Sequence, residues 1–209
     1  MPSYKLTYFD VRGRGEVPRQ LFALAGVPYE DVRITFEEWA EKKGTLQLPY
    51  GQLPILEVDG VILAQSGAIA RFLAKRFGYY GENDFEAAQI DEFLDAFTDF
   101  FTEQKMFFPI YIGKMEGDKE AARKELFEPA RDKYFPIFVE RFLKKSAIGF
   151  LVGSKLSYAD LALAGQTLCL LDFMPDCMDK YPELVAHLDL VNSVPAIKEW
   201  IEKRPKNAF

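Results

Sequence analysis

The chain has 209 residues, of which 49% are hydrophobic, 28% charged and 15% aromatic, including 19 phenylalanines. This composition is typical of a folded globular protein and excludes an intrinsically disordered chain, and the length allows one large domain or two small ones. The net charge of −6 disfavours nucleic acid or an anionic membrane as main partner, because phosphate binding needs clustered Lys and Arg. The chain shows no apolar signal run and no uncharged apolar stretch of about 18 residues, so we expect a cytoplasmic protein.

The few cysteines and the single histidine disfavour metal and imidazole chemistry. Cys169 and Cys177 do not form a C-x-x-C pair and lie in an apolar, helix-like region, so we predict buried core thiols. His187 is the only imidazole, and we predict that it lies on a helix surface rather than acting as a base. We therefore expect no metal site and no Ser/His/Asp catalytic set. The sequence also contains no Walker loop and no G-x-G-x-x-G fingerprint.

The N-terminal part of the chain alternates strand-like and helix-like patterns. Residues 3–9 (SYKLTYF) alternate as in a strand, and residues 14–25 place apolar side chains at helical spacing before Gly26. The segment PYEDVRITF then has the pattern of a second strand. This β-α-β order predicts a parallel pair of strands with a right-handed crossover.

Two further strands and a helix follow an irregular stretch. The runs PILEV and VILA flank Asp59-Gly60, which is a strong hairpin signal. Ser66 precedes the amphipathic segment GAIARFLAKRF and is a favourable N-cap for that helix. The N-terminal part is therefore predicted to be a mixed sheet with helices.

Gly, Tyr, Asn and Asp cluster at residues 78–86 (GYYGENDFE), and no strand signal follows them. We place the domain boundary there, with an α/β domain over residues 1–79 and an all-α domain over residues 80–209. The second domain contains a predicted capping box, Ser157-x-x-Asp160, before a strongly apolar helix. The predicted helical segments are 85–108, 119–145 with a break or bend near Pro129 and Pro136, the segment after Ser157, 182–192 and 195–203.

An acidic row stands on the first helix of the second domain. Asp91, Asp95 and Asp99 are four residues apart, and like charges at this spacing destabilise an isolated helix. The residue pattern alone favours a solvated acidic face.

Tyr8 raises the main functional question, because it ends a strand at the sheet edge where open α/β folds bind ligands. Its position alone favours a packed strand tyrosine. Gln65-Ser66 opens a helix whose N-terminus suits an anion, and Gly51-Gln52-Leu53-Pro54 leaves backbone groups free to pair with a peptide-like ligand. Trp39 and Lys43 share one face if their segment is helical. A ligand with a carboxylate at each end and amides between them fits this set.

These motifs resemble the cytosolic glutathione transferases over essentially the whole chain. YKLTYFDVRGRGEVPR is similar to the opening of the sigma-class and nematode members, which use a tyrosine at the active site. YGQLPILEVDG, QSGAIARFL and LSYADLALA resemble three further family motifs in the right order and spacing. The resemblance implies a thioredoxin-like β-α-β-α-β-β-α domain followed by an all-helical domain.

The resemblance also implies a role for each matching residue. Tyr8 would donate its hydroxyl hydrogen to the glutathione sulfur, and Arg14 would support Tyr8 electrostatically. The remaining glutathione contacts would come from Gln65 and Ser66 at the γ-glutamyl end, Leu53 before a cis Pro54 at the cysteinyl backbone, Trp39, Lys43 and Gln52 at the glycyl end, and Asp99 from the neighbouring subunit. The active form would be a homodimer, with Tyr50 as the aromatic residue that inserts into the partner.

The second-substrate pocket would be bordered by Phe9, Gly13, Phe101, Met106 and Phe209. Two features depart from the family pattern. The loop AEKKGTLQLPY after Trp39 is longer than in some sigma-class relatives, which affects the placement of Lys43. Met106 stands where the vertebrate prostaglandin isomerases are expected to have Trp.

The resemblance implies that glutathione is the co-substrate, that no cofactor is needed, and that hydrophobic electrophiles are conjugated for detoxification. Reduction of organic hydroperoxides is a related activity. Alternatives are ligandin-like binding of haem or other hydrophobic ligands, prostaglandin isomerisation, and a structural role like that of the lens crystallins derived from this fold. The retention of Tyr8, Arg14, Gln65 and Ser66 favours an enzyme over a structural protein.

Overall fold

The computed structural model describes residues 2–206, so Phe209 lies outside the described residues. The N-terminal part contains a mixed four-stranded sheet in the order β2-β1-β3-β4. Strand β1 pairs parallel with β2 and antiparallel with β3, and β3 pairs antiparallel with β4. The strands are β1 (Tyr4–Phe9), β2 (Glu30–Ile34), β3 (Ile55–Val58) and β4 (Val61–Ala64). The parallel pair and the Asp59-Gly60 hairpin are confirmed.

Three helices belong to this sheet: α1 (Glu16–Ala25), α2 (Phe36–Lys42) and α3 (Ser66–Phe77). Helix α1 follows a short 3-10 turn at Gly13–Gly15 and ends at Gly26 in the left-handed conformation. The second predicted strand was too long, because β2 ends at Ile34 and Phe36 begins α2. A capping box explains this: Thr35 accepts from the Glu38 N–H while the Glu38 carboxylate accepts from the Thr35 N–H.

The predicted N-cap of α3 was wrong by one residue. Ser66 is the first helical residue, and Gln65 occupies the N-cap with φ of 71°. In the described part of the chain no side chain caps this helix end, so its first N–H groups remain available to a ligand. An N-cap residue has non-helical backbone angles, whereas Ser66 already lies within the helix, so the prediction failed.

The remaining described chain is helical, and the thioredoxin-like domain followed by a helical domain is confirmed. The helices are α4 (Asp84–Glu103), α5 (Phe107–Tyr111), α6 (Lys119–Ala122), α7 (Glu128–Ile137), α8 (Tyr158–Phe173), α9 (Pro182–Ser193) and α10 (Pro195–Lys203). Helix α7 is flanked by π-helical stretches at Arg123–Phe127 and Phe138–Phe142. Pro136 lies within α7 near the second of these stretches. Within residues 2–206, no helix combines the length and apolarity needed to cross a membrane.

Helix α8 runs through the core, and Asp160 in its first turn is fully buried. The Asp160 carboxylate accepts from the N–H and hydroxyl of Ser157 and from the N–H of Leu151, so the predicted capping box is confirmed. His187 was predicted on a helix surface, and that prediction was wrong. His187 is buried, and its Nε2 lies 3.0 Å from Asp160 Oδ1.

The exposure of the two cysteines and of the acidic row can be compared with the predictions. Cys177 is buried as predicted and Cys169 is partly buried; both are free thiols, and burial raises the pKa of each to about 11. Asp95 and Asp99 are exposed, in agreement with a solvated face. Asp91 differs, since it pairs with Arg71 at 3.0 Å and accepts from the Tyr80 hydroxyl.

Candidate active site

Tyr8 is the penultimate residue of β1, with its side chain buried and its hydroxyl next to the turn before α1. The backbone N–H of Arg14 donates to Tyr8 Oη at 3.1 Å. Because Oη accepts this bond, the hydroxyl hydrogen is left to donate to another group. Burial raises the pKa of Tyr8 above its usual value of 10.0, and the Arg14 N–H and the charges of Arg14 and Arg19 oppose that rise. Tyr8 is therefore a protonated donor at neutral pH.

Glycines make room for the Tyr8 ring at this turn. Gly13 has φ of +36°, and a Cβ there would lie 2.8 Å from Tyr8 Oη. A Cβ on Gly15 would lie 2.5 Å from Tyr8 Cδ1. The R-G-R-G sequence thus allows the backbone to approach the tyrosine closely enough for the Arg14 N–H to reach its oxygen.

Arg19 supports the same turn, and the sequence reasoning missed this role. Its guanidinium is fully buried, donates to Val11 O at 2.6 Å and Phe9 O at 3.3 Å, and pairs with Asp31 at 3.1 Å. It also lies 5.8 Å from the centroid of the Tyr8 ring. Its spacing from Gly15 and Phe22 places it on the face of α1 that packs on the sheet, and this spacing is the signal that could have identified it.

A pocket next to Tyr8 brings most of the predicted glutathione contacts together. Its lining consists of Arg14, Tyr50, Gln52, Leu53, Pro54, Ala64, Gln65 and Ser66. The Leu53–Pro54 peptide is cis. The uncapped start of α3 at Ser66 faces this pocket, and a helix N-terminus favours an anionic group.

Other predicted residues lie outside this pocket lining. Trp39 and Lys43 lie on and just after α2, where the Lys43 ammonium is 5.7 Å from the Trp39 ring centroid. Asp99 is exposed on α4. Tyr50, predicted as the dimer contact, is 65% exposed and also lines the pocket.

Aromatic side chains form a wall next to Tyr8, whose ring centroid lies 5.5 Å from that of Phe9. Phe9 stacks on Phe36 with ring centroids 4.9 Å apart and meets Trp39 edge-on at 5.2 Å. Lys114 from the helical domain lies with its ammonium 4.0 Å from the Phe36 ring centroid. Neither Phe36 nor Lys114 belongs to the predicted site; Phe36 had been assigned to a strand, and Lys114 lies far along the chain in the helical domain.

Two predicted second-substrate residues lie on the helical domain with part of their surface free. Phe101 on α4 is 39% exposed and Met106, at the start of α5, is 42% exposed. Phe101 packs edge-on against Phe97 with centroids 4.9 Å apart.

Two protein-family models match the chain. The model described as "Glutathione S-transferase, N-terminal domain" matches residues 4–75, and the model described as "Glutathione S-transferase, C-terminal domain" matches residues 99–204. The chain belongs to the glutathione S-transferase family. It is 47% identical over 209 residues to "Probable glutathione S-transferase 5" of Caenorhabditis elegans, with all of both chains covered. The family resemblance of the sequence motifs is thus confirmed.

Two further relatives are described by an assembly state or by a different activity. A crystal structure described as a monomeric glutathione S-transferase from the hookworm Necator americanus superposes with a TM-score of 0.92 at 48% identity, covering 99% of this chain and 100% of that one. "Hematopoietic prostaglandin D synthase" of Gallus gallus is 41% identical over 209 residues, again with both chains fully covered.

Proposed function

We propose that this glutathione S-transferase conjugates the glutathione thiolate to hydrophobic electrophiles, a detoxifying activity. The observation that carries the proposal is the Tyr8 hydroxyl, whose oxygen accepts the N–H of Arg14, a residue that itself lines the pocket with Leu53, Gln65 and Ser66. The family membership of both domains supports it. Two free cysteines support a reducing compartment, and we propose the cytoplasm as the location.

The chemical problem is the glutathione thiol, whose pKa is about 8.5 when unperturbed, so only a few per cent is thiolate at pH 7. A hydrogen bond donated to the charged sulfur lowers this pKa. Tyr8 can donate because burial keeps its own pKa above 10.0. Lowering the thiol pKa by about 2 units corresponds to about 2.7 kcal/mol and makes thiolate the main form at pH 7.

Glutathione would be held by groups around the pocket. The first N–H groups of α3, with Gln65 and Ser66, would bind the γ-glutamyl carboxylate. The backbone of Leu53 would pair with the cysteinyl residue, while Trp39, Lys43 and Gln52 would bind the glycyl carboxylate. Glutathione is then the co-substrate, and the proposed reaction requires no other cofactor.

The reaction would proceed by attack of the thiolate sulfur on an electrophilic carbon, which forms the C–S bond and expels a leaving group such as halide. Tyr8 acts as a hydrogen-bond donor to the sulfur rather than as a base. The aromatic wall of Phe9, Phe36 and Trp39 supports a hydrophobic second substrate, with Gly13, Phe101 and Met106 at its border.

We propose that the active form is a homodimer in which Asp99 of one protomer reaches the glutamyl ammonium bound to its partner. The exposed Asp99 and the 65% exposed Tyr50 support this assembly. Because a hookworm relative is described as monomeric, the oligomeric state of this chain has to be measured. Gel filtration giving the monomer mass of 23.9 kDa would exclude the Asp99 role.

Prostaglandin isomerisation is a second candidate, favoured by the 41% identical chicken prostaglandin D synthase. Met106 weakens this candidate, because the resemblance led us to expect Trp there. Haem or another large hydrophobic ligand could occupy the same aromatic wall, so ligandin-like binding can coexist with catalysis.

A turnover panel with glutathione tests these functions against one another. It uses an aryl halide, a lipid hydroperoxide, an unsaturated aldehyde and prostaglandin H₂, with haematin as inhibitor. We expect aryl halide turnover, and we expect Tyr8→Phe to lower it at least about tenfold while glutathione still binds, since one hydrogen bond to a charged group is lost. Unchanged turnover in Tyr8→Phe would remove Tyr8 from the mechanism.

A further inference from the structure

The turn that presents the Arg14 N–H to Tyr8 is tied to the helical domain at both of its ends. We call residues 12–16 the 12–16 turn. At its start, Arg12 forms an ion pair with Asp172 on α8. At its end, the Glu16 carboxylate accepts from Trp200 Nε1 at 2.8 Å and pairs with the Arg204 guanidinium. Trp200 belongs to α10, and Arg204 follows this helix directly.

The contact at Glu16 is buried and directional. The side chains of Glu16 and Arg204 are only 8% and 11% exposed. A buried carboxylate is stable only when it is paired and hydrogen-bonded, and Oε1 of Glu16 receives both donors. The neighbouring pair Lys203–Glu199 on the same helix is 70% and 63% exposed, and such surface pairs contribute little. The position of Glu16 is therefore fixed from the helical domain.

We propose that Glu16 is a positioning residue for the thiolate-stabilising donor, and that Trp200 and Arg204 hold it in place. This inference rests on the proposed role of Tyr8. Glu16 is two residues after Arg14, whose N–H lies 3.1 Å from Tyr8 Oη. A shift at the start of α1 therefore displaces that N–H. Without the hydrogen bond from the Arg14 N–H, the Tyr8 hydroxyl is a weaker donor, and the pKa of the bound thiol rises.

The consequence is that the domain forming one side of the electrophile site also sets the acidity of the nucleophile. Helix α10 makes this connection although none of its residues belongs to the lining of the pocket around Gln65 and Ser66. Loss of the Glu16 contact should therefore change thiol ionisation and leave glutathione affinity nearly constant. A purely structural contact would lower stability without this selective effect.

The experiment compares Glu16→Gln, Trp200→Phe and Arg204→Met with the control Lys203→Met on the same helix. The readouts are the pH titration of the bound thiolate by its ultraviolet absorbance, the Kd for glutathione, and kcat and KM with an aryl halide. We expect the bound thiol pKa to rise by about 0.5 to 1 unit and kcat at pH 7 to fall about 1.5- to threefold, in proportion to the thiolate fraction, with Kd weakened by no more than about threefold. Raising the pH above the new thiol pKa should restore kcat. Lys203→Met should match the wild type.

A lower melting temperature with an unchanged thiol pKa in all three variants would overturn the proposal. If Glu16→Gln or Arg204→Met fails to fold, Trp200→Phe decides, because it removes one N–H and keeps an aromatic ring in place. Tyr8→Phe is run in parallel. If Tyr8→Phe itself leaves the thiol pKa unchanged, the proposed role of Tyr8 fails, and this inference fails with it. If only Tyr8→Phe raises that pKa, the inference alone is wrong.

Discussion

Gly13→Ala tests whether the close approach of the turn to Tyr8 matters for catalysis. The new Cβ would lie 2.8 Å from Tyr8 Oη, whereas ordinary contact begins at 3.4 Å, so the hydroxyl must retreat by about 0.6 Å. Because Arg14 N is bonded to the Gly13 carbonyl carbon, the same retreat lengthens the 3.1 Å bond from Arg14 N to Tyr8 Oη to at most about 3.7 Å. That distance is outside hydrogen-bond range.

The expected loss follows from that single bond. A hydrogen bond contributes about 0.5 to 1.5 kcal/mol, so kcat with an aryl halide should fall about two- to tenfold and the bound thiol pKa should rise. Backbone strain adds a separate stability cost, since Gly13 has φ of +36°. A non-glycine residue in the left-handed region costs about 1 to 2 kcal/mol, which urea unfolding would measure.

Gly26→Ala is the matched control, because it separates strain from contact. Gly26 also has a left-handed φ, of +61°, but a Cβ there would meet nothing within 4 Å. We expect both variants to lose stability and only Gly13→Ala to lose kcat and raise the thiol pKa. Equal kinetic losses in both variants, or wild-type kinetics in Gly13→Ala, would refute the reasoning.

Two further predictions concern the core and the cysteines. Asp160→Asn should lower the free energy of unfolding by about 2 to 4 kcal/mol, since the buried carboxylate accepts from Ser157, Leu151 and His187. Asp118→Asn, at an exposed helix cap, should cost less than about 1 kcal/mol; equal losses in urea unfolding would contradict the burial argument. The pKa of Cys169 and Cys177 is raised to about 11, so the reactive thiolate is scarce at pH 7 and its fraction grows as the pH approaches 11. Iodoacetamide labelling, followed by mass spectrometry, should be slow at pH 7 and rise steeply with pH; rapid labelling of the native protein at pH 7 would be the contrary result.

The sequence predicted elements whose signals are local. The alternation of Tyr4–Phe9, the Asp-Gly hairpin and the Ser157-x-x-Asp160 capping box each lie within a few residues, and the structure contains all three. Helix α2 could also have been predicted from Thr35-x-x-Glu38. The β-branched run before it instead favoured a longer strand, and this removed Phe36 from the predicted site.

The pocket residues were predictable for a different reason. Gln52, Leu53, Gln65 and Ser66 lie at a loop and a helix start, where backbone groups are unpaired and a ligand can use them. Parallel pairing of β1 and β2 brings Tyr8 to the same edge of the sheet. Pattern and topology therefore locate this side of the site, and the motif resemblance suggests the ligand.

The partners of the buried polar residues were not predictable, because they lie far along the chain or on another element. Spacing can place Arg19 on the inner face of α1, but it does not reveal a partner, and a charged or titratable side chain is rarely buried without one. The partners are Trp200 and Arg204 for Glu16, Asp31 for Arg19 and Asp160 for His187.

Contacts between residues that are distant in the sequence can also influence the catalytic tyrosine. Glu16 connects the start of α1 to Trp200 in the helical domain, whereas Arg19 donates to the carbonyl groups of Phe9 and Val11 just after Tyr8. Local sequence can specify a tyrosine and the glycines beside it, but the donor geometry at Tyr8 also depends on contacts that form only when both domains have folded. Thiol acidity in this enzyme should therefore respond to substitutions in α10 that leave every glutathione contact in place.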